Sequence, residues 1–69
     1  MENVYRVNQI RSKRATEREN LEVGTVEKFI GDFETLEEAK EVYSQTATGM
    51  EVDKEIVNLE TGEVIETTY

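Results

Sequence analysis

FETLEEAKEVYSQTA, residues 33–47, is the stretch on which the fold turns. Thr35 followed three residues later by Glu38 has the spacing of a capping box, in which a hydroxyl accepts from an early backbone N–H and a carboxylate reaches back. Leu36, Ala39, Val42, Tyr43, Thr46 and Ala47 then recur at helical spacing and put one apolar stripe on a helix near residues 36–47. Gly49 stands where a left-handed residue would end such a helix. A lone helix with one apolar stripe must bury it against another layer, and the alternating segments around it point to a sheet.

Working outward, residues 3–10, NVYRVNQI, are rich in β-branched and aromatic side chains and read as a strand. Residues 21–33, LEVGTVEKFIGDF, read as a second strand, with Gly24 at a bulge or start and Gly31-Asp32 at the exit toward the helix. Residues 50–59 and 64–69 are two further alternating runs, joined through Glu60-Thr61-Gly62-Glu63 in a hairpin with a left-handed glycine. Residues 11–20, RSKRATEREN, carry one apolar side chain and read as a basic solvated connection. The alternative there is a short helix capped at Thr16-x-x-Glu19, with Arg11, Arg14 and Arg18 on one face.

The predicted fold is therefore a single α+β domain over residues 1–69, a small antiparallel or mixed four-stranded sheet in the order β-β-α-β-β with one helix on one face. The pairing of the first strand stays open between the second strand and the C-terminal ones. The expected core is Val7, Val26, Phe29, Ile30, Phe33, Leu36, Ala39, Val42, Tyr43, Val52, Ile56 and Ile65.

Sixty-nine residues support only a thin core, and small scaffolds usually add a staple. With neither Cys nor His, disulfides and ordinary zinc sites are excluded. The shortfall motivates the expectation of a homodimer. No apolar run approaches the ~20 residues that span a bilayer, so the expectation is a cytoplasmic protein without a membrane segment.

Catalysis is poorly provided for. Nucleophile and base schemes would fall to Ser12, Ser44, lysines, tyrosines or carboxylates, and the four glycines are isolated rather than arranged in a phosphate loop. The expectation is no enzyme, no catalytic residue and no cofactor. Glu51, Asp53 and Glu55 alternate along a strand at ~6.7 Å, too far apart for three to ligate one ion unaided, so no metal site is expected.

Charge is the strongest feature. The net charge is −8, and it is unevenly laid out. Residues 1–18 hold Arg6, Arg11, Lys13, Arg14 and Arg18 against Glu2 and Glu17, a net of +3; the remaining residues hold Lys28, Lys40 and Lys54 against fourteen carboxylates, a net of −11. Glu34, Glu37, Glu38 and Glu41 form one helical stripe, and Glu51, Asp53 and Glu55 project from one strand face. Acids in the first helical turn complement the macrodipole, and excess acid keeps small proteins soluble. An excess of this size beside three lysines goes further and implies an anionic face aimed at a basic partner.

In size and composition the chain resembles the small acidic phage and mobile-element proteins that mimic nucleic acid. The likeness is compositional and transfers no residue roles. The leading expectation is a non-catalytic acidic binding protein that blocks a basic groove of a nucleic-acid-handling protein through Glu34, Glu37, Glu38, Glu41, Glu51, Asp53 and Glu55. The alternatives are a module binding nucleic acid or a phosphate ligand through Arg11, Lys13, Arg14 and Arg18, and an accessory protein-interaction domain with an apolar docking edge. Direct nucleic-acid binding is disfavoured, because the basic segment lacks interleaved aromatics and the acidic body repels a polyanion. The basic arm could also neutralise the protein's own acids, within one chain or across a dimer.

Overall fold

The computed structural model describes residues 3–69; Glu2, counted above among the N-terminal charges, lies outside the described residues. The elements run β1 (Tyr5–Arg11), α1 (Lys13–Glu19), β2 (Val26–Phe33), α2 (Leu36–Gln45), β3 (Val52–Asn58) and β4 (Val64–Thr67). All four strands pair antiparallel in one open sheet of order β2-β1-β3-β4. The α+β class stands. The pairing left open has a double answer, since β1 lies between β2 and β3 and bonds to both. β2 and β3 therefore run parallel on either side of it, joined by α2 in a split βαβ crossover.

Half of the capping box expected at the start of α2 forms, and the Glu38 carboxylate turns to the Thr35 hydroxyl rather than to the Thr35 N–H. The Thr35 hydroxyl accepts from the Glu38 N–H at 3.2 Å and donates to the Glu38 carboxylate at 3.0 Å. The end of α2 differs from expectation. The helix stops at Gln45 with Thr46 extended, and Gly49 is not left-handed. The last turn closes instead through side chains: the Thr46 hydroxyl donates to the Val42 carbonyl at 2.8 Å, and Lys54 Nζ donates to the Tyr43 carbonyl at 2.6 Å. With those orphan carbonyls satisfied, no glycine cap is needed. The β3–β4 turn does follow expectation, with Gly62 at φ 76.

The main correction concerns residues 11–20, which are not a loop, although Lys13, Arg14, Glu17, Arg18, Glu19 and Asn20 are exposed as expected. They contain α1, so the fold has two helices, in the order β-α-β-α-β-β. Its cap is Ser12, not Thr16: Ser12 Oγ accepts from the Ala15 N–H at 3.1 Å and donates to the Met50 carbonyl at 2.9 Å. Asn20, at φ 55, ends the helix in the left-handed conformation that asparagine tolerates. Ser12, Ala15 and Thr16 are buried at the end of the sheet. A helix of seven residues is too short to hold itself together, and the bonds from Ser12 to the chain entering β3 supply the tertiary anchor.

The core between sheet and α2 consists of Val7, Ala39, Tyr43 and Ile56, with Tyr5, Ile30, Phe33, Leu36 and Ile65 packed around them. Val42 and Val52 are half-buried. Val26 and Phe29, expected inside, are 50% and 54% exposed. Two register shifts decide which face each takes. Val7 pairs with Gly31 but Asn8 with Phe29, and Gln9 pairs with Lys28 but Ile10 with Val26. Each shift adds one residue to β2: the first reverses the alternation and turns Phe29 onto the face away from α2, and the second restores it, so Val26 lies on the outer face that unbroken alternation from Phe33 gives it.

Candidate functional site

The carboxylates expected to form one anionic face separate into three environments. Glu37, Glu38 and Glu41 are exposed along α2, opposite the inward Leu36, Ala39 and Tyr43; Glu34, expected on the same helical stripe, is exposed but precedes the N-cap Thr35 and lies outside the helix. Of these, Glu38 is engaged by Thr35, while Glu34, Glu37 and Glu41 form no ion pair among the described residues. Lys40, on the same helix, is exposed and likewise makes none.

Glu51 belongs to a different cluster. Arg18 grips it with Nη1 to Oε1 at 2.8 Å and Nη2 to Oε2 at 2.9 Å, and also reaches Glu19 at 3.0 Å. Arg11 bonds Glu19 at 2.6 Å and Glu27 at 3.1 Å and lies 3.8 Å from Glu51. Hydrogen bonds from Arg18 hold the Glu51 and Glu19 carboxyls below the ordinary carboxylate range, against a smaller opposing effect of desolvation. Arg6 does the same for Asp32 through a bidentate contact at 2.8 and 3.0 Å. Three of the five N-terminal cations are therefore spent on the chain's own acids. Of the basic residues expected to bind an anion in the alternative reading, Lys13 and Arg14 are exposed and outside these pairs, whereas Arg11 and Arg18 are ion-paired.

Asp53 and Glu55 stand opposite Ile10 and Asn8, on the sheet face away from α2. Asp53 accepts from the Thr68 hydroxyl at 2.9 Å. Glu55 is 7% exposed, and its Oε2 accepts from Asn8 Nδ2 at 3.0 Å. Above it the open face forms a groove of about 230 Å³ lined by Ile10, Val23, Gly24, Glu55, Val64, Thr67 and Tyr69. Glu55 Oε1 accepts no hydrogen bond from a described residue. Among the described residues no fully buried side-chain polar atom lacks a partner, so Oε1 keeps contact with solvent through the groove. Exposed Val26 and Phe29 extend the apolar face beyond it, with the Arg6 guanidinium 5.2 Å from the Phe29 ring centroid.

Sequence reasoning placed Glu55 at a contact surface but missed its groove. Asn8 carried the available signal: a polar residue in mid-strand between Val7 and Ile10 needs a partner if the strand is central. Val23 comes from the connection before β2, whereas Val64 and Tyr69 come from the C-terminal segment, and the two meet at the groove only in the folded sheet. No three side chains among the described residues are clustered as a metal ion would require, and none of the described helices is long and apolar enough to cross a membrane. No known protein family, curated protein or solved structure matches the chain.

Proposed function

We propose that this chain is a non-catalytic binding protein whose acidic α2 surface docks on a basic groove of a nucleic-acid-handling protein and blocks it. One observation carries the reading: the arginines Arg6, Arg11 and Arg18 are paired within the fold, while Glu37 and Glu41 on α2 and Glu34 just before its N-cap stand exposed with no counter-ion among the described residues. Like charges at helical spacing repel by a few tenths of a kcal/mol each, so the stripe is a cost to the isolated helix that a basic partner would relieve. Long-range attraction would speed the encounter, and captured Lys and Arg groups would be withheld from phosphate. Glu51 and Glu55 drop out of this surface, because one is held by Arg18 and the other lies on the opposite sheet face. Engagement of Arg11 and Arg18 likewise counts against direct nucleic-acid binding through residues 11–18.

The test is capture from cell lysate by the immobilised protein at low and at about 0.5 M salt, with and without nuclease, since exposed charge contacts are screened at the higher ionic strength. The expected result is a basic nucleic-acid-handling protein whose capture survives nuclease, falls with salt and is lost in the Glu34→Lys, Glu37→Lys, Glu41→Lys triple variant. Equal capture by parent and variant would refute the reading.

Self-association is the second reading, favoured by Val26 and Phe29 half-exposed on the open sheet face. Sedimentation equilibrium giving the mass of one chain at tens of micromolar would sink it.

A further inference from the structure

We propose that the groove over Glu55 is a receptor for a single lysine side chain, the anchor by which a basic partner is held. The inference rests on the reading of a basic partner but concerns the sheet face opposite α2.

The chemistry of the groove selects the occupant. Its size, about 230 Å³, falls below the ~300–1,000 Å³ of sites that take drug-sized ligands, and it suits one side chain rather than a cofactor. Ile10, Val23 and Val64 offer aliphatic walls along which a tetramethylene stem can lie. At the floor, Glu55 presents one carboxylate oxygen, while Asn8 holds the other and fixes the orientation of the group. Tyr69 is an aromatic member of the lining, of the kind to which a cation is drawn.

An ammonium and a guanidinium differ at such a site. Arginine is best recognised by two acceptors at once, and here the bond from Asn8 occupies one acceptor site of Oε2 and competes with a bidentate guanidinium. Lysine brings a compact charge on a flexible apolar stem and needs only one strong acceptor, which Oε1 supplies. A purely apolar side chain would leave that acceptor without a donor in a desolvated floor, at a cost in affinity. The groove is therefore specific for the ammonium, with the stem supplying the burial.

Titration of isotope-labelled protein with the peptide acetyl-Gly-Lys-Gly-amide, followed by nuclear magnetic resonance, tests this directly. The lysine peptide is expected to shift the signals of Ile10, Val23, Val64, Thr67 and Tyr69. Its arginine and norleucine counterparts should bind more weakly, and Glu55→Gln should weaken the lysine peptide by about tenfold or more. Norleucine binding as tightly as lysine, lysine binding indifferent to Glu55→Gln, or shifts confined to other residues would each overturn the proposal. The peptide comparison uses the parent protein, so it stands whether or not the Gln variant folds. Glu37→Lys with Glu41→Lys should leave peptide binding unchanged, because α2 lies across the sheet from the groove. Failure of the α2 docking surface and failure of the lysine anchor are thus read separately.

Discussion

Arg18 and Glu51 face each other through two parallel hydrogen bonds of 2.8 and 2.9 Å, joining the last turn of α1 to the chain entering β3 across 33 positions of sequence. Arg18 lowers the pKa of Glu51 and, with Arg11, that of Glu19; Arg6 does so for Asp32. A carboxyl whose pKa is depressed by folding contributes stability above its unfolded value, about 4. That contribution disappears as the pH drops through the lower folded value. Urea midpoints measured from pH 7 to about 2 at low salt should fall on the acid side in the parent, and less steeply in Arg18→Ala. Parallel acid limbs in the two proteins would contradict the assignment.

Ile56 and Phe29 make a matched test of the core. Ile56 is fully buried against Val7, Ala39 and Tyr43, so Ile56→Ala should cost about 2–5 kcal/mol, a large share of what a small domain has. Phe29 is 54% exposed on the other sheet face, and Phe29→Ala should cost about 1 kcal/mol or less. Leu36→Ala should fall between them, since Leu36 is only partly covered. Urea unfolding of the three variants gives the order; Phe29→Ala as costly as Ile56→Ala would break it.

What separates the legible parts of this fold from the illegible ones is whether the signal is local. Thr35 and Glu38 sit three residues apart and cap α2, and Gly62 takes the turn conformation that its place between two alternating runs implied. Phe29 was expected inside because alternation within β2 runs on from Phe33, and the residue that β2 adds between Gly31 and Phe29 shows only once the strand is paired with β1. The acidic stripe of α2 was readable from helical spacing alone. Neutralisation of the chain's own acids by the basic arm was one of the readings open from charge layout, but Arg18 and Glu51 are far apart in sequence, so neither segment named the partner.

Ser12 is the residue whose role was least visible, since Ser12-x-x-Ala15 lacks the acidic partner that marks a capping box. Ser12→Ala removes the N-cap of α1 and leaves the Met50 carbonyl without its donor. A lost cap costs about 0.5–2 kcal/mol, and burial of Ser12 puts this one toward the upper end. Thr35→Ala, at an exposed cap, should cost less. Denaturant midpoints that rank Thr35→Ala as the more damaging change would show that α1 is not anchored through Ser12.

Lys54 supplies α2 with something its own sequence lacks. The last turn of α2 contains no basic residue, yet Lys54 on β3 places its ammonium 2.6 Å from the Tyr43 carbonyl and 4.3 Å from the centre of the Tyr43 ring. A cation at a helix C-terminus is worth about 0.3–1 kcal/mol and one over an aromatic face about 0.5–1 kcal/mol, so the two roles together predict a cost of about 1–2 kcal/mol for Lys54→Met. Methionine keeps most of the apolar stem, which isolates the charge. The damage should be local as well as global: with the Tyr43 carbonyl left to the Thr46 N–H alone, amides near the C-terminal end of α2 should exchange faster in the variant. Lys54→Met that matches the parent in both urea midpoint and exchange at Thr46 would mean that α2 is closed by the Thr46 hydroxyl and backbone without help from the sheet.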